Sequence, residues 1–260
     1  MPYLWRRMIT SPNNIKVIAC ESMARSVYFY SAQSQHKIDI ELLQIGLHDQ
    51  PNQLRSQIQK KIDQVDPEFY DYIVLVYGLC GRAIDGLVTN NTPLVIPRAH
   101  DCITLLLGSR EAYSKQQNEH PGTYWYSQDY LERSNRYGQS MALGSGMITD
   151  QQELYDQYVK KYGQENADYL METMNSWQKH YDRAVLVETE FGVTQEIREK
   201  VSQQSQIHGW RLETIPGDLT LIKRLLAGEW DEDYLIVPEH HKIKMLANEF
   251  IINSEPIDLN

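Results

Sequence analysis

The sequence predicts an α/β protein made of two Rossmann-like, flavodoxin-like lobes with parallel sheets, and three observations predict it. Short apolar runs of strand length alternate with segments of helical spacing. Strand followed by helix, repeated, is the signature of a mostly parallel sheet covered on both faces. The strand-and-turn order of the first third also returns in the last third.

The elements follow in order. IKVIAC (Ile15–Cys20) reads as a buried strand, and ESMARSVYFYSAQ after it as a helix with Met23, Val27 and Tyr30 on one side. IDIELLQIG (Ile38–Gly46) is a second strand. LHDQPNQLRSQIQKKIDQV is a helix with Leu54, Ile58, Ile62 and Val65 on one face, Asp49 at its N-cap and Pro51 in its first turn. YDYIVLVYG (Tyr70–Gly78) is a third strand and PLVIPRA (Pro93–Ala99) a fourth. DCITLLLGSREAYSKQQ is helical, with a break expected at Gly108. Right-handed crossovers predict the order 2-1-3-4, with a switch point between the first and third strands.

Thr123 to Met147 is rich in aromatics and glycine and reads as a loop or lid. Residues 150–182 read as linking helices, whose stripe of Leu154, Tyr158, Tyr162, Leu170, Met174, Trp177 and Tyr181 is helix core. RAVLVETE, WRLETIPG and DYLIVPEH are then strands, separated by the helices TQEIREKVSQQ and DLTLIKRLLAGEW. IKVIAC corresponds to AVLVET, IELLQIGLHDQPNQL to RLETIPGDLTLI, and YDYIVLVYG to EDYLIVPEH. This weak internal duplication predicts an N-terminal lobe over 1–122, an aromatic-rich loop and linking helices over 123–182, and a C-terminal lobe over 183–260. The two lobes would face each other across a cleft. One continuous sheet with an added layer is the competing reading.

Composition excludes several classes. A net charge of -10 disfavours nucleic acid or an anionic membrane as partner. No window reaches the length of a membrane span. The start, MPYLWRRMITSPNN, has two arginines but no apolar run behind them, so it does not read as a signal peptide. The expected location is the cytoplasm, where three cysteines persist as thiols.

Those cysteines carry the chemistry. Cys20 ends the first strand, Cys80 lies two residues past the third, and Cys102 opens the helix after the fourth. Parallel neighbours stand roughly 4.8 Å apart, so all three sulfurs are expected at one carboxyl edge, beside the switch point. Helix N-termini and the cations Arg82 and Arg98 are expected to favour thiolates there. Thiolates hold iron–sulfur clusters and zinc. Three of them suit a [4Fe–4S] cluster with one open iron. They also suit zinc with His100 as nitrogen ligand, because His100-Asp101-Cys102 is a compact His-x-Cys pair similar to the zinc site of some thiol methyltransferases. Inert buried thiols are the plain alternative.

Arg98, His100 and Asp101 are the expected catalytic group, with His100 moving protons. Tyr77, Gly78, Gly81, Arg82, Gly108, Ser109 and His48 are the expected substrate-binding positions. Glu188, Glu190 and Glu239-His240-His241 are weaker cleft candidates. G-x-G-x-x-G, the Walker loop, H-E-x-x-H and a G-x-S-x-G elbow are absent from the sequence.

YGLCG, PLVIPRAHDCITLLLGSREAY and PGTYWYS, with IKVIACE and GDLTLIKRLLAGEWDEDYLIVPE, resemble the DUF1638 family of uncharacterised bacterial and archaeal proteins. The resemblance implies three motif cysteines, here Cys20, Cys80 and Cys102, surrounded by Arg98, His100, Asp101, Gly108 and Ser109. It also implies proximity to corrinoid-dependent methyl transfer, and hence a corrinoid or methyl-transfer protein as partner. Two positions depart from the family pattern. Asn-Gly there follows GLCG, where this chain has Arg82-Ala83, and Gly-Trp follows the Tyr-rich turn, where it has Gln128-Asp129. Both bear on the substrate more than on the metal.

Three functions are open at this level. One is a [4Fe–4S] enzyme whose open iron acts on a small anionic substrate by elimination, desulfuration or group transfer. Another is a zinc-thiolate methyltransferase of one-carbon metabolism. The third is an accessory protein that holds a metal or cofactor and catalyses nothing.

Overall fold

The structure, a computed structural model, describes residues 7–8, 11–134, 155–156, 159–160, 163–164, 166–167 and 181–257. The chain divides into two compact units, Met1–Tyr113 with Gly217–Asn260, and Ser114–Pro216.

In the first unit a short β1 (Arg7–Met8) pairs with β10 (Glu229–Trp230). The main sheet starts with β2 (Asn14–Cys20), which leads through α1 (Ala24–Gln33) to β3 (Lys37–Leu43). From there α2 (Pro51–Asp63) leads to β4 (Tyr72–Val76), and the chain continues through β5 (Val88–Thr89) to β6 (Leu94–Pro97). The helices form where the sequence expects them. Pro51 is pre-set for the first turn of α2. Leu54, Ile58 and Ile62 bury one face of that helix, and full burial of each side chain stabilises by about 1.5–3 kcal/mol. Gln50, not Asp49, is the N-cap; Asp49 instead closes a single 3₁₀ turn over Leu47–Asp49.

The strand order, with β11 (Tyr234–Val237) included, is β11-β6-β4-β2-β3. The expected 2-1-3-4 order is present, and all of its pairings are parallel. β2 pairs with β3 on one side and β4 on the other, so successive crossovers leave in opposite directions and the switch point lies there. Continuous apolar runs such as Ile73–Val76 are buried throughout, as a sheet covered on both faces requires.

The final strand corrects the expected grouping. DYLIV, aligned above with the third strand of a C-terminal lobe, instead adds antiparallel to β6, with Leu235 opposite Ile96. β12 (His241–Met245) and β13 (Ile252–Pro256) then form an antiparallel sheet with β5. The 183–260 lobe is therefore divided. Its last part joins the N-terminal sheet, which needs an edge cover that local periodicity cannot reveal. α7 (Thr220–Ala227) belongs to this unit as well and packs beside α1. His36 fastens this region, accepting from the Asn13 N–H at Nδ1 (3.3 Å) and meeting the Ala227 carbonyl at Nε2 (3.1 Å).

The second unit is a three-stranded parallel sheet, β7 (Thr123–Ser127), β8 (Arg183–Glu188) and β9 (Arg211–Pro216), in that spatial order. TYWYS, expected to be loop, is a strand buried along its whole length. Aromatic and β-branched residues pack well on a pleated surface, and that preference outweighs the glycines that follow. α5 (Gln128–Ser134) continues from it, and the rest of the expected lid, like most of the expected linking helices, lies outside the described residues. α6 (Gln195–His208) is capped by the Thr194 hydroxyl and ended by left-handed Gly209. It packs Ile197 and Val201 against Tyr124, Tyr126 and Leu186. Arg183, almost fully buried, donates from Nε (2.9 Å) and Nη2 (2.6 Å) to Glu213 and from Nη1 to Gln116 (2.8 Å).

Candidate functional site

The carboxyl edge of the main sheet is built from three strand ends. Cys20 is the last residue of β2. Ala19 pairs with Val76, so Cys20 comes beside Tyr77 just past the end of β4. The chain then runs on as Gly78-Leu79-Cys80. Leu79 N–H donates to the Ala99 carbonyl (2.8 Å) and Cys80 N–H to the His100 carbonyl (3.0 Å). Strand-like pairing thus extends beyond the sheet and carries Cys80 alongside His100, Asp101 and Cys102.

Gly78 makes this possible. A Cβ there would lie 2.5 Å from both the Asp101 N and Cα. Past it, Cys80 (φ 45°), Gly81 (φ 64°) and Arg82 (φ 75°) are all left-handed, which is costly for the two non-glycine residues. Arg55 holds the turn from outside, donating from Nη2 to the Arg82 carbonyl (2.7 Å) and from Nε to the Ala83 carbonyl (3.3 Å).

Asp101 is the N-cap of α3 (Cys102–Leu107), its Oδ1 accepting from the Ile103 and Thr104 N–H groups. Tyr113 OH donates to its other oxygen at 3.2 Å. Burial pushes the Asp101 carboxyl up against the downward pull of these bonds. The expected catalytic Asp101 thus has both oxygens engaged, Oδ1 in the cap and Oδ2 with Tyr113.

The thiols have a cation-poor setting. Burial pushes Cys80 up, and Asp101 and Cys20 push it further. Cys102 is pushed up by burial and then by Asp101, Cys80 and Cys20. Cys102 thus lies within electrostatic reach of Cys80 and Cys20, and Cys80 within reach of Cys20. The expected lowering does not occur at Cys80 or Cys102, because burial outweighs everything else there, Asp101 adds like charge, and the arginines face elsewhere. Arg82 is exposed and pairs with Asp85 at 3.2 Å. Arg98 donates from Nη1 to the Phe250 carbonyl (2.9 Å) and to that of Ile252, leaving Nε buried without a partner. As placed here, neither guanidinium offers a free fork to a substrate anion.

His100 is exposed at its surface and stacks on Tyr113 with ring centroids 5.1 Å apart. Partial burial lowers it, Asp101 opposes that, and Arg110 lowers it further. It therefore stays neutral at neutral pH, able to accept a proton. His48 pairs with Asp49 at 3.4 Å, and its carbonyl lies 4.0 Å from where a Cβ on Gly81 would stand, so its loop flanks the cysteine turn. Gly108 and Ser109 have architectural tasks. Gly108 (φ 77°) ends α3 against the Asp218 side chain. The Ser109 hydroxyl accepts from Ala112 N–H in the first turn of α4 (Arg110–Glu119).

Tyr77, an expected substrate-binding position, is 3% exposed, packs in the cluster that Cys20 and Cys80 adjoin, and its hydroxyl has no hydrogen-bond partner. The structure also adds residues that spacing does not show. Ser22 and Thr104, each two residues beyond a cysteine, also bury unpartnered hydroxyls. Glu21 follows Cys20 and accepts from Ile45 N–H at 3.3 Å. Among the described residues no three or more His, Cys, Asp or Glu side chains are grouped closely enough to hold one metal ion. Among the same residues no helix is long and apolar enough to cross a membrane.

The fold and this edge define a class: an α/β protein that presents three thiols at the carboxyl rim of a parallel sheet. The chain belongs to the DUF1638 family, described as proteins of unknown function, whose model matches residues 42–226. Cys80 and Cys102 fall inside that match and Cys20 upstream of it. No curated protein and no solved structure matches the chain.

Proposed function

We propose that Cys20, Cys80 and Cys102 hold an iron–sulfur cluster, and that the protein uses it on a small substrate by elimination, desulfuration or group transfer. The observation that supports this most is the common setting of the three thiols. They come from adjacent parallel strand exits, and burial, Asp101 and the neighbouring thiols push Cys80 and Cys102 up. Such a donor set fits a cationic, thiophilic group, which would reverse that imbalance and deprotonate the ligands. When bound, the cluster would supply a Lewis-acidic iron.

The chain's own residues have separable tasks. Gly78 and the left-handed turn at Cys80 bring the backbone close enough for the sulfur to reach the rim. His100, neutral and partly open to solvent, moves a proton to or from the substrate. Asp101 fixes α3, and with it Cys102, through the cap.

The test is iron, sulfide and zinc analysis of anaerobically purified protein, with Cys20→Ser, Cys80→Ser and Cys102→Ser beside the wild type. The reading expects iron and sulfide in the wild type, visible charge-transfer absorbance, and loss of both in each variant. Stoichiometric zinc in a colourless protein would turn the assignment to a zinc-thiolate methyltransferase. Bound metal without turnover, released to a corrinoid or methyl-transfer partner, would make it an accessory protein. Metal content unaffected by all three substitutions would refute the ligand set.

A further inference from the structure

We infer that Tyr77 is a positioning residue of the cysteine rim, whose hydroxyl donates a hydrogen bond to a sulfur of the cluster held between Cys20 and Cys80. The inference rests on the iron–sulfur reading above and names the residue that orients and tunes the bound group.

Three observations lead there. The register Ala19 to Val76 sets Tyr77 beside Cys20, and three residues further on the same strand exit reaches Cys80. Tyr77 is 3% exposed, and both cysteines pack against its hydrophobic cluster. Its hydroxyl nevertheless bonds to neither sulfur and to nothing else. A buried hydroxyl left unpaired costs about 1–3 kcal/mol, and phenylalanine would fill the same volume without that cost. Tyrosine is explained if acceptor atoms belong between its oxygen and the two thiols. A cluster supplies such atoms as sulfurs, a few ångströms inside the ring of protein ligands.

The consequence is electronic as well as geometric. Hydrogen bonds to cluster sulfurs are among the determinants of reduction potential, and groups beyond the first ligands orient and tune metal centres generally. A donor facing sulfur favours the more negative, reduced state and so raises the potential. Ser22 and Thr104, buried and unpartnered two residues past Cys20 and Cys102, are suited to the same task on the other two arms.

The experiment compares full-length wild type and Tyr77→Phe, each prepared metal-free and reconstituted anaerobically with iron and sulfide. Thermal unfolding is followed in both states, and the midpoint potential by redox titration of the loaded protein. The expected result has three parts. Metal-free Tyr77→Phe is at least as stable as the wild type. The loaded variant carries the wild-type amount of iron but gains less stability on loading, and its midpoint potential moves to a more negative value. Equal iron with an unchanged potential would overturn the inference and leave the cluster reading standing. A metal-free variant less stable than the wild type would also overturn it, by showing that the hydroxyl already serves the fold. A wild type that takes up no iron and sulfide would overturn both.

Discussion

Substituting Gly78 by alanine isolates the contact on which the cysteine rim depends. The added methyl would sit 2.5 Å from Asp101 N and Cα and 2.8 Å from its carbonyl carbon. All three are backbone atoms, so no side chain can swing away. Relief requires the Tyr77–Cys80 segment to part from residues 99–101, which strains the bonds Leu79 N–H to Ala99 (2.8 Å) and Cys80 N–H to His100 (3.0 Å). Overpacking costs about 1–3 kcal/mol, and two weakened backbone bonds add about 1 kcal/mol each, so the loss should be about 3–5 kcal/mol. Gly86→Ala is the control. That glycine is left-handed (φ 86°) but has open space around it, and its replacement should cost about 1–2 kcal/mol. Urea unfolding gives both values from the midpoint at constant slope. On the proposed cluster reading, Gly78→Ala should also lose iron, since Cys80 moves with the displaced segment, while Gly86→Ala should keep it. A Gly78→Ala variant as stable as Gly86→Ala would refute the close approach and the rim geometry built on it.

Other expectations follow from the same structure. Arg82→Asn should stabilise by up to about 1 kcal/mol, since asparagine tolerates the left-handed region and the exposed pair with Asp85 is worth little; chemical denaturation of the two proteins decides it. Glu213→Gln should destabilise by about 1–2 kcal/mol at neutral pH, because buried Arg183 loses its charged acceptor. Hydrogen bonding from Arg183 holds Glu213 below the usual carboxylate range. Its contribution is therefore complete above the unfolded value near 4.5 and is lost as pH falls through the lower folded value. The gap between wild type and Glu213→Gln should narrow over that acidic window, and a gap that widens there would contradict the pairing.

Much of the main sheet is legible in the linear chain because its elements obey local rules. Ile73–Val76 is apolar without alternation, as a strand covered on both faces must be. The spacing of Leu54, Ile58 and Ile62 marks one helical face, and Gly108 breaks the helix where a left-handed cap is needed. The site is partly legible for the same reason: cysteines at equivalent strand exits must share an edge if the sheet is parallel. The fate of TYWYS is less legible, because aromatic residues beside glycine and proline suit a loop as well as a buried strand. Arg98 shows the limit more sharply. Beside His100 in the chain it looks like a ligand-binding cation, but its partners are carbonyls at Phe250 and Ile252, more than a hundred and fifty positions away.

From its residues alone, then, the protein's alternating architecture, its 2-1-3-4 strand order and the placing of its three cysteines at neighbouring strand exits are determined, since periodicity and handed crossovers are properties of neighbouring residues. Only the tertiary structure decides that Tyr234–Val237 closes the first sheet antiparallel, that burial and Asp101 push the Cys80 and Cys102 thiols up, and that the buried Tyr77 hydroxyl has no hydrogen-bond partner. Those outcomes depend on which distant groups exclude water together, and burial is a property of the whole packed chain.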